Sequence, residues 1–181
     1  MSTARIRPNI LITGTPGTGK STICENLVTV SDGMTHVDLG KLVKEKGLHS
    51  GFDSEFDAFT LDEDMVCDEL EDRMCSGGVI LEAHSCDYFP ERWFDLVVVL
   101  RCSNTVLFDR LNSRGYSKRK LDENVEAEIM QVVLDEARES YSSEIIWEFV
   151  NESIDHLQFN TSAISSWIHD WPSSFRRQQP R

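Results

Sequence analysis

The sequence predicts an α/β fold in which a five-stranded parallel sheet is flanked by helices. Three observations carry that expectation. Short apolar runs alternate with helically spaced segments along the chain, the order that sets parallel strands beside crossover helices. A glycine-rich turn joins the first apolar run to the first helical segment. Leu96 to Arg101 is a nearly unbroken apolar run, as expected of a strand covered on both faces.

The elements follow in order. Asn9–Thr13 reads as the first strand, and the spacing of Ile23, Leu27 and Val30 predicts a helix over Ser21–Val30. Thr35–Leu39 reads as the second strand, and Gly40–Lys46 as a short helix stopped by Gly47. Leu48–Thr60, rich in Gly, Asp and Phe, reads as loop. Leu61–Met74 predicts a helix whose early Asp and Glu residues suit the helix dipole, ended by Gly77-Gly78. Val79–Glu82 and Leu96–Arg101 are the next strands; Ser103 is expected to cap a helix reaching about Ser113. Glu123–Ser142 predicts one long amphipathic helix, Ile145–Val150 the last strand and Ala163–Trp171 the last helix. A single domain over residues 8–171 is expected, followed by a disordered tail over 172–181 that carries Arg176, Arg177 and Arg181.

The bulk composition excludes several classes. The chain has 181 residues, room for one compact domain, and a formal net charge of −13. Such an acidic surface repels a phosphate backbone and argues against general nucleic-acid binding. An anionic ligand therefore needs a local cationic pocket. Met1 to Pro8 is polar and does not read as a leader. The apolar runs are too short to span a bilayer, so no direct membrane association is expected. The five cysteines, Cys24, Cys67, Cys75, Cys86 and Cys102, include no C-x-x-C pair. They read as reduced thiols, with no ligand spacing for a structural zinc.

Gly14-Thr15-Pro16-Gly17-Thr18-Gly19-Lys20-Ser21 fits G-x-x-x-x-G-K-[ST] between an expected strand and an expected helix. Glycines let the main-chain N–H groups turn toward a phosphate, and the helix N-terminus adds partial positive charge. Gly17, Gly19, Lys20, Ser21 and Thr22 are thus the candidate ATP ligands. Lys20 reaches the β- and γ-phosphates, and the Ser21 hydroxyl ligates magnesium.

No N-K-x-D segment is present to read guanine, which argues against a GTPase and leaves a small kinase as the favoured reading. Arg110 and Arg114 lie four apart, can share a helix face, and precede the cationic Lys118-Arg119-Lys120. They are candidates for a lid over ATP, with Arg114 as a catalytic cation. Lys44, with Lys41, and Arg92 are candidates for the acceptor phosphate. Glu82 ends the Val79–Glu82 strand, where a carboxylate holds magnesium, and His84 projects the same way to order a water or meet the transferred phosphate. The candidate catalytic set is Lys20, Glu82, His84 and Arg114, with Ser21 and Glu82 as metal ligands. Cys86 reads as a packed thiol.

These stretches resemble the adenylate kinase isoenzyme 6 family, a nuclear adenylate kinase and ribosome-assembly ATPase. The likeness rests on Pro8 to Gly17, Leu61-Asp62-Glu63-Asp64, His84-x-Cys86-Asp87-x-Phe89-Pro90-Glu91-Arg92-Trp93 and Arg110-Leu111-x-x-Arg114-Gly115-Tyr116. It spans roughly residues 8–171. The resemblance implies the P-loop nucleoside monophosphate kinase fold, an acceptor-binding segment near 38–61 and a lid near 113–123. It implies magnesium-dependent transfer from ATP to nucleoside monophosphates, an ATPase activity, and a role in maturation of small-subunit (18S) ribosomal RNA. It also implies a platform protein of the small ribosomal subunit as partner, with residence in nucleus and cytoplasm; a monomer or weak homodimer is expected. Two departures stand out. Glu82-Ala83-His84 occupies the place where the family usually has Asp-Tyr-His, and Lys44 stands where it usually has arginine. The longer Glu82 changes the expected magnesium geometry, and Lys44 lacks the bidentate fork of arginine. The alternative reading is an ATP-driven ribosome assembly factor with incidental or lost kinase activity. Its acidic segment, with Asp62, Glu63, Asp64, Asp68, Glu69, Glu71 and Asp72, would attract a basic partner.

Overall fold

The computed structural model describes residues 5–54 and 58–175. Strand β1 (Ile10–Thr13) leads through the glycine loop into helix α1 (Lys20–Val30). Then come β2 (Thr35–Asp38), α2 (Leu39–Lys46), the strands β3 (His49–Asp53) and β4 (Ala58–Leu61), α3 (Glu63–Ser76) and β5 (Val79–Glu82). The second half holds β6 (Leu96–Arg101), α4 (Asn104–Ser113), α5 (Lys118–Ile129), α6 (Val132–Ser140), β7 (Ile146–Val150) and α7 (Ile154–Phe175).

The expected five-stranded parallel sheet is present, in the order β2-β5-β1-β6-β7. Side chains alternate across each strand, and the core divides accordingly. Leu11, Leu81, Val97 and Val99 pack with α2, α3 and α6 on one face. Ile10, Ile12, Ile80, Val98 and Leu100 pack with α1 and α7 on the other. β1 sits at the centre, where the connections reverse direction, so the crevice beyond its carboxyl end is where this architecture binds ligands.

Five sequence expectations need correction. Leu48–Thr60 is not loop: β3 and β4 pair antiparallel, with Phe52 opposite Phe59. The Phe59 ring packs against Phe52 and His49, with centroids 5.2 and 4.2 Å away, which supplies the cross-strand contact a two-stranded ribbon needs. The long helix expected over Glu123–Ser142 is two helices. Gln131 adopts φ 59°, a left-handed conformation rare for a residue with a side chain. The break lets α5 bury Leu121 against Leu107 and Leu111, while α6 turns Leu134 and Ala137 into the core under the sheet.

The last helix starts at Ile154, not Ala163. Polar Asn160 and Thr161 interrupt its apolar stripe yet are buried, and Asn160 Nδ2 donates to the Val150 carbonyl at 3.0 Å. The same helix runs through Pro172 to Phe175, four residues into the segment expected to be a tail; residues 176–181 lie outside the described residues. Ser103 does stand at the start of α4, but its side chain makes no capping bond. Its N–H donates instead to Glu152 Oε1 at 2.6 Å.

Asn9 fastens the amino end of the sheet. Its Nδ2 donates to the Met74 and Trp93 carbonyls at 2.7 and 2.9 Å, and its Oδ1 accepts from the Val79 N–H at 3.1 Å. The residue is fully buried. Asn9→Ala strands three main-chain groups away from water and is expected to lower stability by about 3 kcal/mol. A urea titration should show the midpoint falling with an unchanged slope.

Candidate active site

Helix α1 begins at Gly19 with no side-chain cap and no acidic residue in its first turn. By contrast, α2, α3 and α5 are capped by Asp38, Asp62 and Ser117, which accept from Lys41, Met65 and Lys120 N–H groups. The first N–H groups of α1 have no partner within the helix and point where a phosphate would lie. Gly17 and Gly19 have φ of 94° and 93°. A Cβ on Gly19 would stand 2.4 Å from Asn151 Nδ2, and one on Gly17 2.9 Å from the Leu107 side chain. Both the backbone angle and the space demand glycine there.

Lys20 folds back into the loop, donating to the Gly14 and Thr15 carbonyls at 2.6 and 3.1 Å. Burial pulls its pKa down to about 8, against the opposing pull of the Glu82 negative charge. Ser21 Oγ donates to Glu82 Oε1 at 2.6 Å, and His36 Nε2 lies 2.9 Å from Glu82 Oε2. Burial alone would raise the Glu82 carboxyl; the bonds from His36 and Ser21 and the charges of His36 and Lys20 outweigh it, and the group is held below the usual carboxylate range. Glu82 is thus ionised, with Ser21 beside it. This pair of hard oxygen donors fits a magnesium ion.

His84 follows at the floor of the crevice, exposed in surface terms but close to Lys20. The Lys20 charge first, and shielding from water second, hold its pKa far below the ordinary histidine value. Its ring is neutral at physiological pH and can exchange hydrogen bonds with a phosphate or water without adding charge. Arg114 caps α4 and is exposed; its main-chain N–H donates to the Arg110 carbonyl, while its guanidinium carries no hydrogen bond or ion pair among the described residues. Its charge is felt at both Lys20 and His84. Thr22 is exposed on the first turn of α1.

A cleft of about 690 Å³ opens from this floor. Pro16, Lys41, Lys44, Phe59, Glu82, His84, Tyr116 and Lys120 are among the residues that line it. Lys44 Nζ lies over the Phe59 ring, 5.9 Å from its centroid. The fold therefore gathers Lys20, Ser21, Glu82, His84 and Arg114 near the loop, with Lys44 lining the same cleft as Glu82 and His84.

Arg92 is not brought there. Its guanidinium meets Glu71 Oε1 at 2.6 Å, and its turn packs where β1 and β6 begin, with the Trp93 carbonyl bound to Asn9. The chain after β5 crosses back along the sheet before reaching it. Arg110 does not join Arg114 either. Its Nη1 donates to the Gly17 and Asn151 carbonyls and its Nη2 to the Glu152 carbonyl, each at 3.0 Å. It buttresses the loop from behind. Cys86 is buried, and burial pushes its thiol up to about 12, as fits a packed side chain.

Three contributors escaped the sequence reading. Glu128 accepts from Thr15 Oγ1 at 2.6 Å and from Arg101 Nε at 2.6 Å. Asn151 Nδ2 donates to the Thr18 carbonyl at 2.8 Å. His36 supports Glu82. Of these only His36 had a usable signal: Asp38 pairs with Glu82 across β2 and β5, so a residue two earlier shares its face.

A protonated Lys20 is expected to bind phosphate best. Below about pH 8 the ammonium is already charged, and ligand binding takes up no proton there. Above that value the free lysine is neutral, and an anionic phosphate recharges it by drawing a proton from solution. Calorimetric heats of magnesium-ATP binding in two buffers of different ionisation enthalpy should agree at about pH 7 and diverge at about pH 9, with affinity falling over the same interval.

The chain has clear relatives. A family model described as an AAA domain matches residues 10–131. A protein of Dictyostelium discoideum named adenylate kinase isoenzyme 6 homolog is 50% identical over 171 residues, covering 94% of this chain and 97% of its own. The Saccharomyces cerevisiae adenylate kinase isoenzyme 6 homolog FAP7 is 40% identical over 171 residues, covering 94% of this chain and 87% of its own. Among solved structures, a shikimate kinase from Bacteroides thetaiotaomicron superposes with a TM-score of 0.61 at 14% identity, covering 90% of this chain and 98% of its own. That likeness speaks to the fold alone: a P-loop kinase core.

Proposed function

Since the chain belongs to the adenylate kinase isoenzyme 6 family, a nucleotide kinase family, we propose that it transfers the γ-phosphoryl group of ATP to AMP or a related nucleoside monophosphate. The observation that carries this reading is the shared cleft: Pro16 of the glycine loop, Glu82, His84, Lys41 and Lys44 line one open space. Donor and acceptor phosphates can therefore meet without crossing the protein.

An acceptor phosphate oxygen attacks the γ-phosphorus in line, the bond to the β–γ bridging oxygen breaks, and ADP leaves. The acceptor is already anionic, so no strong base is needed, and positioning with charge neutralisation supplies the rate. The α1 amides and Lys20 hold the β- and γ-phosphates. Arg114, unpaired and exposed beside them, closes on the equatorial oxygens. Neutral His84 orients by hydrogen bonding, either the transferred group or, in ATP hydrolysis, a water. Lys44 grips the acceptor phosphate as a point charge. Ser21 and Glu82 would hold magnesium, which supplies charge neutralisation on the phosphates when bound.

A second reading is carried by α3, whose Glu63, Asp64, Asp68 and Asp72 are exposed. It is that of an assembly factor of the small ribosomal subunit, spending ATP in 18S RNA maturation and holding a basic platform protein in nucleus and cytoplasm. Such a grip would weaken steeply with salt, and failure to retain any basic ribosomal protein at low salt would remove the support for it.

A coupled assay of ATP consumption with AMP, CMP, UMP, GMP and water alone tests the kinase reading. At least one monophosphate should accelerate ADP release well above the rate with water; equal rates throughout would overturn it. Arg114→Ala should lower kcat by about 10³-fold with little change in ATP affinity, and unimpaired turnover would remove Arg114 from the mechanism.

A further inference from the structure

Three side chains from three elements converge under the crevice: Cys24 of α1, His36 of β2 and Glu82 of β5. Their ligand atoms, one from each residue, all lie within 4.8 Å of one another. No other trio of His, Cys, Asp or Glu ligand atoms converges so closely among the described residues, in a chain with 31 Asp and Glu. We propose that Cys24, His36 and Glu82 form a zinc site, distinct in its donors from the oxygen ligands that magnesium takes.

The donor set selects the ion. Thiolate, imidazole and carboxylate together match zinc, whereas a hard cation such as magnesium gains little from sulfur. The charges also close: a thiolate and a carboxylate neutralise a dication where Cys24 is wholly buried and Glu82 nearly so. On binding, zinc replaces the thiol proton of Cys24, which passes to solvent. The ion takes a lone pair each from sulfur, the imidazole nitrogen and the carboxylate, and no oxidant or reductant is involved.

The geometry is nearly in place. Tetrahedral zinc with ordinary bond lengths sets nitrogen and oxygen ligands about 3.3 Å apart and sulfur about 3.6 Å from either. His36 Nε2 and Glu82 Oε2 are 2.9 Å apart, and the other ligand-atom separations are at most 4.8 Å. Closing the trio around an ion therefore takes side-chain movements on the order of 1 Å. The ion enters between the two ligands now in mutual contact, from the cleft that Glu82 lines. Three protein ligands leave the fourth position for water, or for the Ser21 hydroxyl already bonded to Glu82. The linear sequence hid this site because its ligands lie 12 and 46 residues apart, without any metal-binding spacing.

The site needs no nucleotide and stands apart from the phosphotransfer proposal. Its consequence does rest on that proposal: zinc would occupy the carboxylate assigned to magnesium and hold the enzyme inactive until chelated.

The test uses metal alone on the full-length, reduced, nucleotide-free protein. Cobalt(II), a spectroscopic substitute for zinc, should give a thiolate-to-cobalt charge-transfer band and tetrahedral visible absorption, both removed by one equivalent of zinc. Cys24→Ser should abolish the charge-transfer band. Cys75→Ser, which removes an exposed thiol on α3, should leave it intact. His36→Asn, at a partly exposed position on an edge strand, should weaken zinc binding at least about tenfold. Thermal melts verify that each variant is folded. Absence of the band in the unmodified protein, or its survival in Cys24→Ser, overturns the proposal. If Cys24→Ser does not fold, unchanged zinc affinity in folded His36→Asn overturns it. Failure of the kinase assay would leave these results untouched.

Discussion

One buried carboxylate ties the working parts of this protein together. Glu128 is 3% exposed and holds the Thr15 hydroxyl, the Arg101 guanidinium and the Cys102 N–H at once. The glycine loop, the end of β6 and the end of α5 therefore share one charge. A buried ion pair contributes little net stability over an apolar replacement, but removing one partner costs about 3–5 kcal/mol. Glu128 thus acts less as glue than as a gauge: it fixes where α5 stops. Two residues later the chain turns through Gln131, and α6 leaves in a new direction. The segment bearing Arg114, Tyr116 and Lys120 is set by the same anchor, which joins the rim of the cleft to its floor.

The electrostatics answer the problem posed by a chain of net charge −13 that binds an anion. The cations that matter are few and held for specific tasks. Arg101 is committed to Glu128 and Glu148, and Arg110 to main-chain carbonyls. Lys20 is buried until its pKa drops to about 8. Arg114 stays unpaired at the rim. His84, kept neutral by the Lys20 charge beside it, supplies direction rather than charge. The broad acidic surface is then a foil that confines anion binding to a single mouth.

Much of the architecture was legible in the chain. Four of the five strands of the sheet are short, mostly apolar runs, and the glycine loop falls between a strand and a helix as its motif requires. What escaped depended on distant partners. The β3–β4 ribbon breaks its apolar pattern with Gly and Asp, and is held by Phe52 and Phe59, which pair across the two strands. The split of α5 from α6 follows from Glu128 reaching back to Thr15 and Arg101, 113 and 27 residues away. At the site, the placement of Lys20, Ser21 and Glu82 beside one another was legible because a motif or a strand end sets it. Arg92 misled because nearness in sequence to His84 conceals the return of the chain along the sheet. Arg110 misled because a shared helix face does not say which of two arginines the backbone will claim.

The uncapped start of α1 has an effect beyond recognition. A helix that leaves its own first amides unsatisfied is weaker alone than it would be with a serine or aspartate at its head. The shortfall is made good only when an anion arrives, so occupancy enters directly into the folding equilibrium. A ligand at 100 times its dissociation constant adds about 2.7 kcal/mol by mass action. In a cell, the lifetime of this protein against proteases would then rise and fall with the supply of nucleotide triphosphate, making its abundance a slow record of the energy charge around it.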